Sequence, residues 1–142
     1  MTRTNGYMQG KVCLVTGATS GMGEATAQAL ARMGATVIVV GRDPQRGAAT
    51  LDRIKKVAPN AQVEFMLADI SAQAQVRQMV QDFKSKYSRL DVLVNNAGAL
   101  FARRQESVDG IEITFALNHL GYFLLTHLLL DMLKASAPAR IV

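Results

Sequence analysis

The chain has 142 residues, of which 49% are hydrophobic and 19% charged. This excludes a disordered tail and leaves room for one core, so residues 1–142 are expected to form a single domain without a separate substrate domain. Sixteen basic and eleven acidic residues give a net charge of +5, but the basic residues stand singly or in pairs, and we expect no nucleic-acid partner.

Cysteine usage and the N-terminus indicate the cellular compartment. Cys13 is the only cysteine, which excludes an intramolecular disulfide and a zinc site made of several thiolates. Residues 1–7 lack the apolar run of a secretory signal, and no window reaches the about 18 apolar residues of a membrane span. We expect a cytoplasmic protein without a membrane span, in which Cys13 is an inert core thiol.

Short β-rich runs alternate with longer helical patterns along the chain. The pattern predicts strands at 11–16, 37–40, 63–67, 90–94 and 140–142. It predicts helices at 24–33, 44–58, 73–87 and 111–134, the last of them interrupted near residue 118. This alternation is typical of βαβ units around a parallel sheet.

The turn after the first strand is rich in glycine, with the spacing Gly-x-x-x-Gly-x-Gly at Gly17, Gly21 and Gly23. Glycine lets the backbone approach a pyrophosphate, while the free amides and the dipole of the following helix favour an anion. The lysine of a triphosphate-binding loop is absent. From the glycines alone, an ordinary tight turn is the alternative.

Residues 16–23, together with Asn95-Asn96-Ala97-Gly98, resemble the short-chain dehydrogenase/reductase family, and the resemblance covers the whole chain. It implies that a dinucleotide is bound by the glycine loop, where the candidate contacts are Gly17, Thr19, Ser20, Gly21, Met22 and Gly23. It further implies that Asp69, with the Ile70 backbone, binds the adenine, and that Asn96, Ala97 and Gly98 line the ribose. A turn at Asp69 and a plain loop at residues 95–98 are the alternatives.

The tip of the second strand bears on the choice of cofactor. Asp43 stands where an acid that binds the ribose of NAD is expected, but Asp43-Pro44 also suits the start of a helix. The tip itself is Gly41, which does not repel a 2′-phosphate, and Arg42 can donate two hydrogen bonds to one. We therefore expect NADP, with NAD as the alternative.

Hydride transfer between a nicotinamide and a carbonyl also needs a proton donor. The resemblance implies a tyrosine, a lysine and a serine for this chemistry, and an asparagine that matches Asn118 and holds a water relay. The alternative for Asn118 is an amide that fills a helix kink. The other three residues would follow Val142, so the chain is expected to be the N-terminal part of a single-domain enzyme, which binds its cofactor without turnover.

The expected fold is α/β, a three-layer Rossmann-type doubly wound parallel sheet of order 3-2-1-4-5, truncated at the fifth strand. The expected function of the parent enzyme is NADP-dependent interconversion of an alcohol and a carbonyl. Residues 118–126 also resemble the retinol-dehydrogenase branch, which implies a lipophilic small-molecule substrate. One rival is a non-catalytic dinucleotide-binding or sensor module. A methyltransferase-like domain is another, but Gly41 lacks the acid it would need.

The last helix is unusually apolar. The resemblance implies that it takes part in a homo-oligomer, with four candidate contacts that could instead belong to the chain's own core: Phe115, Leu124, Leu125 and Leu128. Its histidines, His119 and His127, are eight residues apart without an acidic or cysteine partner at ligand spacing. We expect no metal site there and interpret both histidines as partly buried spacers.

Overall fold

Five parallel strands form one sheet in the computed structural model, which describes residues 6–142; residues 1–5 of the N-terminus discussed above lie outside it. The sheet order is β3-β2-β1-β4-β5, which confirms the predicted order. The strands are β1 (Val12–Thr16), β2 (Thr36–Gly41), β3 (Val63–Leu67), β4 (Val92–Val94) and β5 (Arg140–Ile141). The chain order reverses between β1 and β4, where parallel α/β sheets bind ligands at the carboxyl ends of the strands.

Four helical segments connect the strands: α1 (Gly21–Arg32), α2 (Pro44–Val57), α3 (Gln73–Lys86) and a long helix, Ile113–Ala135. The α1 helix begins three residues earlier than the apolar spacing predicted, because the last two glycines of the loop form its first turn. The predicted start of α2 is confirmed, since the Asp43 carboxylate accepts hydrogen bonds from the amides of Gln45 and Arg46 at 2.9 and 3.1 Å.

The sheet is covered on both faces, as the three-layer prediction requires. Alternate β1 residues point in opposite directions, because side chains alternate along a strand. Leu14 belongs to the core under α3 and the long helix, whereas Cys13 and Val15 belong to the core under α1 and α2. Burial raises the pKa of the Cys13 thiol to about 12, and the fully buried side chain is the expected inert core thiol.

The long helix is continuous through the predicted interruption. Its turns widen to π-helical geometry over Ala116–Leu120, which is the segment that contains Asn118, and such widenings are common at functional sites. Leu125 is fully buried in the chain's own core, Leu124 and Leu128 pack against that core, and Phe115 is half exposed. The core interpretation is therefore confirmed for Leu125.

The prediction that both histidines are partly buried is wrong. His119 and His127 are exposed, and their rings stack on Phe115 and Phe123, one helical turn earlier, at centroid distances of 5.2 and 6.1 Å. Both lie on the solvent side because helical spacing places them opposite the buried leucines.

By length and composition, the long helix is apolar enough to cross a membrane, so the expectation that no window of the chain reaches a membrane span is wrong. Core helices of soluble proteins share this property; here Leu125, Leu129 and Leu133 are buried beside the sheet, while only 22% of the most apolar window is buried. The helix is therefore weak evidence for a membrane span, and the expected absence of one stays a prediction.

Candidate functional site

A cleft of about 540 Å³ opens at the carboxyl ends of β1, β2 and β4. The predicted binding residues that line it are Gly17, Thr19, Ser20, Gly21, Met22, Arg42, Asp69, Ile70, Asn96, Ala97 and Gly98. The structure thus brings together residues that are up to 81 positions apart in the sequence. Gly23 is the exception among the predicted cofactor contacts, because it is buried behind the cleft wall.

The glycine loop lies directly against the segment that follows β4. A Cβ atom on Gly23 would come within 2.4 Å of Asn96 Nδ2, and one on Gly17 within 2.7 Å of Ala97 Cα. Gly17 also has a φ of +62°, which side chains other than glycine rarely tolerate. Both glycines therefore permit two loops to touch, and the role of Gly23 is packing rather than contact with a ligand.

Asn96 fastens the glycine loop to β4. Its side-chain amide donates to the carbonyl oxygens of Thr16 and Gly17 at 3.0 and 3.3 Å. The Asn96 side chain thus supports the end of the central strand. The ribose contact implied for residues 96–98 stays a prediction, although all three residues line the cleft.

The hydroxyl of Thr16 completes this connection. Its Oγ1 accepts hydrogen bonds from the backbone amides of Asn96 and Ala97, both at 3.0 Å, and donates to the Val94 carbonyl at 3.3 Å. Thr16 is fully buried. A buried hydroxyl with satisfied hydrogen bonds fixes the relative position of the two loops.

The start of α1 provides the anion-binding element of the cleft. The first amides of a helix have no acceptor one turn earlier, and the Ser20 side chain does not cap them. A Cβ atom on Gly21 would meet nothing within 4 Å, so the backbone there is open to a ligand. These amides and the helix dipole fit the pyrophosphate of a dinucleotide.

The carboxylate of Glu24, in the first turn of α1, is paired with a cation, so it does not repel such an anion as a free carboxylate would. Arg53 on α2 donates to both of its carboxylate oxygens at 2.6 and 2.9 Å. The hydrogen bonds from Arg53 lower the pKa of Glu24. The ion pair also ties together the two helices beside the cleft.

Two guanidinium groups lie beside the cleft near the end of β2, Arg42 directly after the strand and Arg46 in the first turn of α2. Arg42 and Arg46 are exposed and line the cleft, and within residues 6–142 neither forms a salt bridge. A Cβ atom on Gly41 would lie 2.7 Å from Thr19 Cγ2, so a larger side chain at this tip requires the Thr19 side chain to shift. Sequence reasoning missed Arg46, although its position three residues after the helix cap was a usable signal.

Asp69 forms the turn that was one of the two alternatives considered for it. Its Oδ1 accepts from the Ser71 amide at 2.9 Å and from the Ser71 hydroxyl at 2.7 Å, which is the expected turn contact. Asp69 also lines the cleft, and an adenine contact through it stays a prediction. The next residue, Ile70, packs on the long helix, because a Cβ atom on Gly121 would lie 2.4 Å from Ile70 Cγ2.

Asn118 lies behind the cleft wall. Its Oδ1 accepts from the Ala99 amide at 3.0 Å, and its Nδ2 donates to the Ala99 carbonyl at 2.9 Å. This bidentate contact is of the kink-filling kind, and it anchors the π-helical segment to the loop after β4. The water-relay role implied by the resemblance stays a prediction.

Other residues on the cleft were not singled out from the sequence. Besides Arg46, they are Val40, Ala68, Ala99 and Leu117; Gly41 and Asp43, already considered for the choice of cofactor, also line the cleft. Most are small or apolar residues whose position depends on which strand ends are neighbours. Their local sequence contains no signal for it.

Comparison with known proteins identifies the class. The family model described as short chain dehydrogenase matches residues 11–142. The chain therefore belongs to the short-chain dehydrogenase family of oxidoreductases, whose members bind NAD or NADP.

Among curated relatives, retinol dehydrogenase 12 of Mus musculus is 42% identical over 139 residues, covering 98% of this chain and 44% of that protein. Polyprenol dehydrogenase of Homo sapiens is 44% identical over 136 residues, covering 93% of this chain and 41% of that protein. The chain thus spans less than half the length of these relatives.

Solved structures agree with the fold. The NADP complex of RhlG from Pseudomonas aeruginosa has a TM-score of 0.81 and 35% identity, covering 94% of this chain and 53% of that chain. A short chain dehydrogenase from Escherichia coli CFT073 complexed with NADPH has a TM-score of 0.80 and 26% identity, covering 94% and 57%.

Proposed function

We propose that the chain binds NADP and contributes the cofactor-binding half of an oxidoreductase that interconverts an alcohol and a carbonyl. The observation that carries the choice of NADP is the pair Arg42 and Arg46 beside Gly41, a strand tip without a carboxylate. Asp43 caps α2 through its Oδ1, which supports its interpretation as a helix cap rather than as the acid that binds the ribose of NAD.

The described residues fit this cofactor in three places. The amides at the start of α1 bind the pyrophosphate, the two arginines bind the 2′-phosphate, and residues 69–70 and 96–98 enclose the adenosine. When bound, the nicotinamide accepts or donates the hydride. Because the chain covers less than half of its relatives, the reaction is proposed for the whole protein.

The substrate class is part of the proposal. Two of the relatives are named for retinol and polyprenol, which are apolar alcohols, and residues 118–126 resemble the same branch. We propose a lipophilic alcohol or its carbonyl product as substrate. A cytoplasmic location and an oligomer built through the long helix also stay predictions.

Titration of NADP and NAD by calorimetry tests the cofactor proposal. We expect Arg42→Ala to weaken NADP binding by about 1.5–3 kcal/mol, the value of a hydrogen bond to a charged group. NAD binding should hardly change, because NAD has no 2′-phosphate. Arg77→Ala is the matched control, since it removes an exposed arginine on α3 outside the cleft.

Equal losses for both dinucleotides in Arg42→Ala would contradict the phosphate contact. Absence of binding by the wild-type chain would contradict the whole proposal. A hydride-transfer assay on the complete protein separates the enzyme from a non-catalytic dinucleotide sensor.

A further inference from the structure

Tyr122 on the long helix contacts the loop that forms one wall of the cleft. Its hydroxyl donates a hydrogen bond to the Ala97 carbonyl, and its half-buried ring packs against the core cluster under α3. Burial raises the pKa of this phenol, so at neutral pH the hydroxyl is protonated and able to donate.

The Ala97 peptide is held from two sides. Its amide donates to Thr16 Oγ1 at the end of β1, and its carbonyl accepts from Tyr122 on the long helix. Ala97 both lines the cleft and supports the glycine loop, where a Cβ atom on Gly17 would approach its Cα to 2.7 Å. Any rotation of this peptide would therefore move the cleft wall and the glycine loop together.

Asn118 and Tyr122 are four residues apart and lie on one face of the helix. Asn118 holds Ala99 through both polar backbone atoms, and Tyr122 holds Ala97. Gly98 lies between Ala97 and Ala99, and a Cβ atom added to it would lie 3.3 Å from Asn118 Oδ1. The loop after β4 is thus fixed to the helix on both sides of Gly98.

We propose that Tyr122 is a positioning residue for dinucleotide binding, acting through the Ala97 carbonyl on the loop that supports the glycine turn. This inference depends on the proposed function of the same cleft. Tyr122 does not line the cleft itself, so its effect on a ligand is transmitted by Ala97. The phenol then acts equally on NADP and NAD, because its contact is with Ala97 and not with the arginines proposed to bind the 2′-phosphate.

The test is Tyr122→Phe in the full chain, which keeps the packed ring and removes only the hydroxyl. The Ala97 carbonyl loses its partner, and we expect the Kd values of NADP and NAD to rise by the same factor, about tenfold. Their ratio should stay as in the wild type, in contrast to Arg42→Ala. Amide hydrogen exchange at Ala97 should accelerate without any ligand, because the peptide is held only by Thr16.

Tyr87→Phe is the matched control. Tyr87 is also partly buried and donates to Glu64 Oε2 at 2.7 Å, but it lies outside the cleft. This control should lower the free energy of unfolding while leaving both Kd values and the exchange of Ala97 unchanged.

Two outcomes overturn the inference, and they differ. If the wild type binds and Tyr122→Phe binds with the same Kd while losing only as much stability as Tyr87→Phe, Tyr122 is structural and the proposed function stands. If the wild type binds neither dinucleotide, the proposed function fails and this inference fails with it.

Discussion

Asn96 illustrates how one side chain determines the shape of a binding loop. An asparagine that follows a strand is an ordinary loop residue by composition, yet here its amide reaches two carbonyls at the end of β1. The contact is possible because Gly23 has no side chain in that space. The pair explains why a glycine that does not line the cleft belongs to the binding site.

Replacing Gly23 with alanine tests this packing. The new Cβ would lie 2.4 Å from Asn96 Nδ2 and 2.5 Å from the Gly17 carbonyl oxygen, so the loop must shift. We expect dinucleotide affinity to fall by about tenfold or more and the free energy of unfolding to fall by about 1–3 kcal/mol, as for overpacking. Calorimetric titration and urea denaturation measure the two effects.

Gly110→Ala is the control for the Gly23 variant. Gly110 has a φ of +73° but open space around its Cα, so alanine there strains the backbone without moving the cleft. We expect this variant to lose about 1–2 kcal/mol of unfolding free energy and to bind the dinucleotide with unchanged affinity. Unchanged dinucleotide binding in Gly23→Ala would refute the packing role.

At the scale of elements, the start of α2 decides how Arg42 and Arg46 are presented. Asp43 caps the helix, and Pro44 occupies its first position. The absence of a side chain at Gly47 lets α2 approach β3, because a Cβ atom there would lie 2.5 Å from the Phe65 ring. The cap and this close approach place Arg46 at the cleft.

Asp43→Ala separates the two roles considered for this acid. Loss of the cap should reduce the free energy of unfolding by about 1 kcal/mol, measured by urea denaturation. NAD affinity should stay the same, because the carboxylate binds amides of its own helix. A selective loss of NAD binding would instead assign Asp43 to the ribose and contradict the preference for NADP.

At the scale of the whole molecule, Asp91 ties the amino ends of the central strands together. The buried carboxylate accepts hydrogen bonds from the Val12 amide at 2.9 Å, from Lys11 Nζ at 3.0 Å, and from two Arg89 nitrogens at 2.6 and 2.8 Å. Burial opposes ionisation, but these bonds outweigh it and lower the pKa of Asp91 to about 2.

A lowered folded-state pKa makes stability depend on pH. The contribution of Asp91 is present above its ordinary pKa of 3.8 and is lost as pH falls towards about 2. Asp91→Asn should lower the free energy of unfolding by about 2–4 kcal/mol at neutral pH, and the gap to the wild type should narrow between pH 4 and pH 2. Urea denaturation at pH 7, 4, 3 and 2 measures this difference in unfolding free energy, and a difference independent of pH would contradict a stabilising role of the ionised Asp91 carboxylate.

The sequence predicted most of the secondary structure, because strand and helix spacing is periodic over a few residues. The bounds of β3 were predicted to the residue, and the cap of α2 followed from Asp43-Pro44. The predicted start of α1 was three residues late, because apolar spacing gives no information about glycines that form a helical turn. The exposure of His119 and His127 was missed, because an apolar helix does not reveal which of its faces meets the sheet.

The sequence by itself determined the alternation of strands and helices and the glycine-rich turn, since these depend on residues close together in the chain. Only the tertiary structure decided that Asn96 closes on Gly17, that Arg46 joins Arg42, and that Tyr122 holds Ala97. Asn96 and Thr16 are separated by 80 residues, and such contacts depend on strand order and helix packing. Local spacing does not encode side-chain contacts across that distance, whereas the folded sheet brings the strand ends together.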